Sequence, residues 1–237
     1  IRDRIITQDK TVIEMTNLFT QRHVYDKYRT ELWAAFADVG VKVSFEKKQL
    51  IELSGNTADY VYLILDGCVK QFLHYPNGVT RTIFLLRPGT MFNEVTLFNN
   101  DTSYVVSQAH THVQLAKITA DKFNGILNAK PSLYESVSYM LAYKLRIAMA
   151  QIYDLSFSST EQRFRNLLCR LCVQIGRETP EGILIPYIFT HDDFAQMISA
   201  GRSSISRIIG RFQDKGYVFY EGKYIIIRPN IINLEML

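Results

Sequence analysis

The sequence predicts an α+β chain in which an antiparallel β-roll of the jelly-roll kind precedes a long helix and a C-terminal winged helix-turn-helix. Three patterns indicate this order: short β-rich runs separated by turn residues, one long apolar repeat of helical spacing, and two short helices followed by a hairpin. The chain has 237 residues, of which 47% are hydrophobic, enough for two modest cores. We divide it into four regions: an N-terminal helical extension (residues 1–39), the β-roll (40–130), the long helix (131–157) and the C-terminal domain (158–237).

The composition indicates a cytoplasmic protein. The formal net charge is +4, a mild basic excess that agrees with a nucleic-acid partner without establishing one. No segment has the pattern of a signal peptide or the apolar length of a membrane span, so no membrane partner is expected. The three cysteines fit a reducing compartment: Cys68, Cys169 and Cys172.

The β-roll is predicted from six β-rich runs with turn residues between them. Asn77-Gly78 suits a tight hairpin, and Asp66-Gly67 marks another turn. Many short strands at this spacing are typical of an antiparallel roll. The runs are residues 41–45, 49–53, 60–65, 68–74, 80–86 and 111–118.

A long helix is predicted from Pro131, which suits a first helical turn, to about Leu155. Two apolar stripes run along it, and one has the alternating spacings of a coiled-coil seam. Because two stripes need two partners, we expect one to pack on the β-roll and the seam to pack on a second subunit; a buried helix in a monomer is the alternative. The roll-facing stripe is Leu133, Val137, Met140 and Ile147, and the homodimer seam is Leu141, Leu145, Ala148, Ile152 and Leu155.

The segment after the long helix carries the start signals of a new helix. Ser158 and Ser159 begin overlapping capping boxes, so a hinge is expected at residues 155–160. Cys169 and Cys172 lie three residues apart on the next helix, and we interpret them as core fillers rather than a redox pair. A turn and a strand are expected next, at residues 176–182 and 183–189.

A helix-turn-helix is predicted at residues 190–213. Thr190 can cap the first helix, and Gly201 is interpreted as the turn residue. An arginine on the exposed face of the second helix can donate to guanine O6 and N7 together, and a hydroxyl can bond a phosphate or a base edge. The pattern predicts a helix that enters the major groove of DNA; the alternative is a surface helix with solvated arginines. The apolar face opposite is Ile205, Ile208, Ile209 and Phe212.

A hairpin directly follows this helix. Two β-rich runs between residues 215 and 228 are separated by Glu221-Gly222, which predicts a winged helix. The stretch Ser-Arg-Ile-Ile-Gly-Arg-Phe-Gln at 206–213, with Gly-Lys-Tyr-Ile at 222–225, resembles the Crp/Fnr superfamily of bacterial transcription regulators, most of all its Fnr-type branch. The resemblance extends over about residues 40–228 and implies that the roll is an effector-sensing, cyclic-nucleotide-binding-like domain.

The resemblance implies particular DNA contacts. Arg207 matches the arginine that reads a guanine in this family, and Ser206 matches its neighbouring contact residue. Ser203 stands where the major branches carry a glutamate, so the preferred half-site should differ from the usual ones. Arg202 matches the arginine of the cyclic-AMP-responsive branch, and Ser199 stands where the family has its turn glycine. The predicted DNA-binding set is Arg202, Ser203, Ser204, Ser206, Arg207, Arg211 and Lys223.

The roll departs from the ligand chemistry of this superfamily. Glu94 matches the ribose-binding glutamate, yet Ser103-Tyr104 stands where the motif that holds the cyclic phosphate has Arg-Ser. No Lys or Arg occurs between residues 87 and 117, so cyclic AMP is not expected. An Fnr-type iron–sulfur cluster would need cysteines near the N-terminus, and no cysteine precedes Cys68. Val95 occupies the position that matches the axial haem ligand of haem-sensing relatives. We expect no cofactor and an unknown small-molecule effector.

Tyrosines on the long helix lie where that helix would close the roll. A phenol or carboxylate effector could bond there, as it looks to do in the aromatic-sensing halorespiration regulators of this superfamily; the alternative is that the tyrosines pack in a dimer core. The predicted effector-binding set is Phe92, Asn93, Glu94, Ser103, Tyr104, Tyr139, Tyr143 and Lys144.

These observations predict an effector-responsive transcription regulator that binds an inverted repeat in double-stranded DNA as a homodimer, and the resemblance implies RNA polymerase as a partner. No nucleophile-and-base set or phosphate loop supports an enzyme. Two alternatives stay open. His110 and His112 could form a cupin-like metal site with His74, although we expect no metal there. The winged helix could instead bind a protein, as a regulatory interaction module.

Overall fold

The computed structural model describes residues 22–76, 78–228 and 231, which form two compact units. The first unit is Val24–Ala150, and the second is built on the described residues from Gln151 onward. Most of the predicted helical extension, residues 1–21, lies outside the described residues, and so does Asn77 of the predicted hairpin.

The first unit is an antiparallel β-roll with helices packed around it. Its strands are β1 (Val41–Phe45), β2 (Leu50–Glu52), β3 (Tyr60–Asp66), β4 (Val69–His74), β5 (Thr80–Leu86), β6 (Met91–Phe92), β7 (Val106–Ala109) and β8 (Val113–Thr119). Three helices accompany them: α1 (Arg22–Phe36), α2 (Glu94–Asn99) and α3 (Ala120–Ala129). The strands form two four-stranded sheets, with the orders β1-β8-β3-β6 and β2-β7-β4-β5. The observed sheets confirm the predicted antiparallel roll.

The core of the roll lies between the two sheets. The rings of Tyr62 and Phe92 stack there with their centroids 4.9 Å apart. Four consecutive residues of β3 are buried because α2 and α3 cover the face of that strand that turns away from the core. The fully buried cluster comprises Tyr62, Ile64, Val69, Leu86, Phe92, Ala109, Val113 and Leu115.

Two strands of the roll are absent from the sequence prediction for identifiable reasons. Strand β6 has only two residues, too few for an alternating pattern. Strand β7 buries Ser107, whose Oγ accepts a hydrogen bond from Nε2 of Gln71 at 3.0 Å, so its buried face is not uniformly apolar. The run predicted at 111–118 begins only at Val113, because the preceding residues form a turn.

The second unit contains the helix-turn-helix and its wing. The long helix α4 (Leu133–Phe157) begins in the first unit and ends in the second. After it come α5 (Thr160–Ile175), β9 (Arg177–Thr179), β10 (Gly182–Leu184), α6 (His191–Ile198), α7 (Arg202–Asp214), β11 (Val218–Glu221) and β12 (Tyr224–Ile227). The four strands form one sheet in the order β11-β12-β10-β9.

Two details of this unit correct the sequence prediction. The turn predicted at 176–182 contains strand β9, and the strand predicted at 183–189 ends at Leu184. The chain instead makes a short hairpin between the two strands, in which Oγ1 of Thr179 donates to the carbonyl oxygen of Gly182 at 2.9 Å. Strands of three residues are too short to leave a periodic signal.

The helix starts follow the predicted signals. Ser159 caps α5 and completes a capping box with Gln162. Thr190 and Asp193 form the same reciprocal box at the start of α6. Each box satisfies amide groups that would otherwise lack a partner, and it fixes where the helix begins.

The two apolar stripes of α4 have opposite environments. The stripe predicted to pack on the roll is buried: Leu133, Val137, Met140 and Ile147. Three residues of the predicted dimer seam are exposed by 60%, 63% and 43%: Leu145, Ile152 and Leu155. The other two, Leu141 and Ala148, are half-buried. The seam thus leaves apolar surface that a second copy of the helix could cover, and that pairing stays a prediction.

Candidate nucleic-acid interface and effector cavity

The second helix of the helix-turn-helix, α7, is held by its apolar face. Ile205, Ile208, Ile209 and Phe212 are all buried, as predicted. The rings of Phe164 on α5 and Phe194 on α6 meet edge to face with centroids 5.4 Å apart, and the ring of Phe212 lies 5.7 Å from that of Phe164. Three helices therefore share one aromatic cluster, which fixes the orientation of the opposite face of α7.

The turn between α6 and α7 is made by a different residue from the one predicted. Ser199 adopts the left-handed conformation, with φ 52°, and ends α6. Gly201 has φ −78°, an ordinary extended conformation, and serves as the N-cap of α7. The interpretation of Gly201 as the substitute turn residue is therefore wrong. A non-glycine residue is uncommon in this conformation, so the sequence pattern favoured the nearest glycine.

Most of the predicted DNA-binding residues lie on exposed surface. Ser204 is half-buried, and the exposed ones are Arg202, Ser203, Ser206, Arg207, Arg211 and Lys223. Lys223 lies beside Gly222 in the tight turn of the wing, whose strands pair from Val218 and Ile227 to Glu221 and Tyr224. The set therefore lies on one polar face of α7 and at the tip of the adjacent hairpin.

The cations of this face differ in what already binds them. The guanidinium group of Arg207 has no hydrogen-bond or ion-pair partner within residues 22–76, 78–228 and 231. A guanidinium nitrogen of Arg211 lies 2.5 Å from a carboxylate oxygen of Glu161 on α5. Nε of Arg202 lies 3.9 Å from Oδ1 of Asp192, a loose contact between two exposed groups. Arg207 is therefore the arginine most available to a new acceptor.

A histidine absent from the sequence prediction contacts this face. Nδ1 of His191, the first residue of α6, lies 2.7 Å from Oγ of Ser206. The hydroxyl of Ser206 also lies 3.1 Å from the backbone oxygen of Arg202, one turn earlier in α7. His191 thus orients a predicted contact residue from the neighbouring helix. The two residues are 15 positions apart, and only the packing of the two helices brings them together.

The roll contains a cavity of about 140 Å³ beside α2. Five residues of the predicted effector set line it: Asn93, Glu94, Ser103, Tyr104 and Lys144. Asn93 has φ 73° in the position where the family resemblance implies glycine. The hydroxyl of Ser103 closes a local turn by bonding the backbone of Val105, and Tyr104 is 80% exposed.

Glu94 and Lys144 form a buried ion pair at the base of this cavity. Nζ of Lys144 lies 2.5 Å from Oε1 of Glu94 and 2.8 Å from the carbonyl oxygen of Met91. The two side chains are only 4% and 10% exposed. Oε2 of Glu94 is buried and has no hydrogen-bond partner among the described residues. One oxygen of the carboxylate is therefore used within the protein and the other is unused.

Three members of the predicted effector set lie elsewhere. Phe92 is fully buried in the core, stacked on Tyr62. The rings of Tyr139 and Tyr143 pack against tyrosines of α1, with centroids 4.6 Å from Tyr28 and 4.3 Å from Tyr25. Burial raises the pKa of both hydroxyls. None of the three lines the cavity beside α2, because Phe92 is in the core and α1 covers the two tyrosines, so their part in effector binding stays a prediction.

The histidine pair does not have the geometry expected for a metal site. His110 is buried and His112 is about half-exposed, and both lie in the turn between β7 and β8 rather than on one face of a strand. Nε2 of His112 lies 3.9 Å from Glu46. Over the described ranges, no group of three or more His, Cys, Asp or Glu residues could hold a metal ion.

The cysteines of α5 have the environment of core residues. Cys169 and Cys172 are both buried. Burial raises the pKa of the Cys169 thiol to about 11, although nearby Arg165 and Arg170 act in the opposite direction. Burial also raises the pKa of Cys172. Thiols that stay protonated react slowly, in agreement with the interpretation of both as core fillers.

Comparison with known proteins identifies both units. Residues 42–130 match the model of the cyclic nucleotide-binding domain, and residues 162–234 match that of the Crp-like helix-turn-helix domain. The chain is 26% identical over 229 residues to the global nitrogen regulator of a Nostoc species, covering 96% of each chain. It is 23% identical over 185 residues to the CRP-like cAMP-activated global transcriptional regulator of Mycobacterium tuberculosis, covering 78% of this chain and 83% of that protein.

Solved structures agree at the level of the fold. FixK2 from Bradyrhizobium japonicum matches with a TM-score of 0.73 at 16% identity, over 83% of this chain and 97% of that one. A transcriptional regulator of the CRP/FNR family from Thermus thermophilus matches with a TM-score of 0.67 at 23% identity, over 83% of this chain and 99% of that one. No helix in the part of the chain that the structure describes is long and apolar enough to cross a membrane. The two domain matches, in this order and with these relatives, show that the chain belongs to the Crp/Fnr superfamily of transcription regulators, with an effector-binding type of roll and a DNA-binding helix-turn-helix.

Proposed function

We propose that this regulator binds an inverted repeat in double-stranded DNA as a homodimer, with α7 of each subunit in the major groove. The observation that supports this proposal most directly is that the guanidinium of Arg207 is available for a new contact. Its guanidinium is exposed and unpartnered among the described residues, on a helix whose opposite face is locked into an aromatic cluster. A rigidly held helix with a free arginine is suited to donate two parallel hydrogen bonds to a guanine.

The remaining residues of the face divide into base readers and phosphate binders. Ser203 is exposed near the start of α7 and can meet a base edge, whereas Ser206 is held by His191 for a fixed contact. Lys223 at the tip of the wing is placed for a phosphate, as lysine commonly is. Arg211 contributes less, because DNA must compete with Glu161 for its guanidinium.

The dimer is proposed to form through the exposed seam of α4. Leu145, Ile152 and Leu155 recur at the spacings of a coiled-coil stripe, and each exposes more than two fifths of its surface. A second copy of the same helix presents the same stripe, so the contact is self-complementary, as a two-fold interface requires. Two recognition helices related by this symmetry match the two half-sites of an inverted repeat.

The roll is proposed to sense a small molecule other than cyclic AMP, and to bind no haem or iron–sulfur cluster. A cyclic phosphate needs a cation to balance its charge, yet Lys144 is already paired with Glu94, and the described residues that line the cavity include no arginine. An effector acts by binding the DNA-competent arrangement more tightly than the other one. We place the protein in the cytoplasm, with RNA polymerase as a further partner and without catalytic activity.

The experiment that tests this proposal is selection of bound duplexes from a random DNA pool by the purified protein. A palindromic motif should be enriched, and Arg207→Ala should lose about 1–3 kcal/mol on it while losing preference at one base pair of each half-site. Arg177→Ala removes an exposed arginine from strand β9 of the same unit and is the matched control for charge. Equal losses on specific and random duplexes for Arg207→Ala would refute its role as a base reader.

A further inference from the structure

We propose that the cavity beside α2 binds an uncharged molecule about the size of one aromatic ring that donates a hydrogen bond from N–H to Oε2 of Glu94. The inference rests on the proposed sensing role of the roll and specifies the ligand class. It departs from the phenol or carboxylate ligand expected from the sequence, because the structure shows how the charged groups of the cavity are already used.

One carboxylate oxygen of Glu94 is unused. Glu94 is 3% exposed, and its Oε2 has no partner among the described residues, whereas Oε1 is bonded to Lys144. A buried acceptor left without a donor costs free energy, more so when it carries charge. Because Glu94 is one of the residues that line the cavity, a ligand that reaches Oε2 and donates to it recovers this free energy, and a ligand without a donor does not.

The charged groups of the lining favour an uncharged ligand. Lys144 is the basic residue of the lining, and two of its three N–H groups already donate to Glu94 and to the carbonyl oxygen of Met91. Asp101 adds a second carboxylate to the lining. Among the described residues of the lining, a carboxylate or phosphate ligand would therefore meet the charges of Glu94 and of the exposed Asp101, with only the third N–H of Lys144 to bind it. A cation at Oε2 would lose its hydration and would also lie close to the ammonium group of Lys144, which is bonded to the other oxygen of the same carboxylate, so an uncharged donor fits best.

The size and the apolar wall of the cavity limit the ligand to about one ring. A cavity of about 140 Å³ is close to the roughly 150 Å³ that holds benzene in an engineered protein cavity, and it is smaller than the sites that take drug-sized ligands. Phe84, Val95 and Val105 contribute an apolar wall. The cavity thus suits one ring or its aliphatic equivalent next to a single donor group, which is the shape of a small primary amide.

Three probes of nearly equal size separate these requirements: benzamide, which is neutral and donates; methyl benzoate, which is neutral and only accepts; and benzoate, which is charged. Their affinities for the full chain without DNA are measured by saturation-transfer NMR titration. We expect benzamide to bind at least about ten-fold more tightly than the other two, as the loss of one hydrogen bond to a charged acceptor implies. Benzoate or cyclic AMP binding as tightly as benzamide, or no binding of benzamide, overturns the inference.

Glu94→Gln gives a second readout that misfolding would not mimic. Lys144 requires an acceptor, so the amide oxygen stays toward Nζ and the amide nitrogen takes the place of Oε2. The variant should bind benzamide about ten-fold more weakly and methyl benzoate more tightly than the parent does. Glu52→Gln, which changes a carboxylate bonded to Tyr62 outside the cavity, should leave both affinities unchanged. Weakening of both probes by Glu94→Gln while its thermal midpoint is unchanged would contradict the assignment.

DNA binding separates this inference from the proposed function. Half-site affinity is measured with and without benzamide at saturation. Benzamide binding with no change in DNA affinity supports the ligand class and contradicts the sensing role of the roll. Tight, sequence-specific DNA binding together with no benzamide binding leaves the DNA reader intact and refutes the ligand class.

Discussion

Two buried ion pairs involve the same long helix, one in each unit, and they differ in how completely their carboxylates are bonded. In the roll, Lys144 of α4 binds one oxygen of Glu94 and leaves the other without a partner among the described residues. In the second unit, Oδ1 of Asp154 accepts from Asn166 at 2.7 Å and Oδ2 accepts from Arg170 at 2.6 Å. The first pair borders a cavity, whereas the second is enclosed between α4 and α5.

The difference indicates separate roles. A carboxylate whose oxygens are both bonded is already satisfied and serves to hold two helices in one geometry. Asp154 and Arg170 lie on either side of residues 155–160, where we predicted a hinge, so this buried pair joins the two helices that flank that segment. A half-bonded carboxylate beside a cavity can still gain an interaction. We interpret the pair in the second unit as a structural tie and the pair in the roll as part of a binding site.

The largest expected effect is on the structural tie. Asp154→Ala leaves Arg170 buried without its carboxylate, and we expect a loss of about 3–5 kcal/mol in the free energy of unfolding of the second unit. Urea unfolding followed by circular dichroism measures it, while the fluorescence of Trp33, the single tryptophan, reports on the first unit. Asp154→Leu combined with Arg170→Met removes both charges and should recover most of the loss. A single-variant loss below about 1 kcal/mol would contradict the structural role.

The pair in the roll should matter less for stability. Glu94→Ala leaves Lys144 bonded to the carbonyl oxygen of Met91 and beside a cavity that can admit water, so we expect a loss of about 1–3 kcal/mol. The midpoint of Trp33 fluorescence in urea measures this loss. Asp101→Ala, on an exposed residue of the same lining, is the control and should change the midpoint little. A loss as large as that of Asp154→Ala would mean that the two pairs do not differ as described.

The pH dependence of stability provides a further test of the second unit. The group that titrates is the thiol of Cys169, the buried neighbour of Arg170. Burial raises the pKa of that thiol from 9.0 to about 11, so the folded state binds its proton more tightly than the unfolded state does. Stability is therefore full below the unfolded pKa and falls as pH rises through the folded one. We expect Cys169 to contribute a loss of about 1 kcal/mol between about pH 8 and pH 10. Cys169→Ala should flatten this slope in urea unfolding; an unchanged slope would show that the thiol is not responsible.

The smallest expected effect is at the DNA-binding face. Glu161→Gln weakens the exposed ion pair that holds Arg211, and such pairs contribute at most about 1 kcal/mol. We expect specific and random duplexes to bind a few-fold more tightly, because the freed arginine meets phosphate rather than a base. Fluorescence anisotropy with both duplexes measures this. Glu178→Gln, an exposed carboxylate on β9, is the matched control, and an equal gain from it would indicate a general charge effect.

Much of the fold could be predicted because its signals are local. The β-rich runs, the capping boxes and the apolar faces of α4 and α7 each depend on residues a few positions apart, and the structure has them where the patterns indicate. The turn is an exception. Ser199 adopts a conformation that glycine favours, and no rule of local composition selects serine over a glycine two residues away.

The candidate sites were harder to predict because their partners are distant in sequence. Glu94 and Lys144 were both expected at the effector site, but their direct pairing joins residues 50 positions apart. Tyr139 and Tyr143 were expected at the effector site, but Tyr25 and Tyr28 pack on their rings from α1, a contact that the spacing of the tyrosines does not indicate. His191 likewise acquires its role only when α6 packs on α7. Patterns of spacing describe one element at a time and contain no information on such docking.

The exposed seam of α4 makes the abundance of the protein a regulatory variable under the proposed dimer. The side chains of Leu145 and Ile152 are each about three fifths exposed in a single chain, and pairing of two chains along the seam removes them from water. The population of DNA-competent dimers then rises with the square of the free-monomer concentration when dimers are scarce. A modest change in synthesis or turnover would thus shift promoter occupancy more than proportionally, before any small molecule enters the roll.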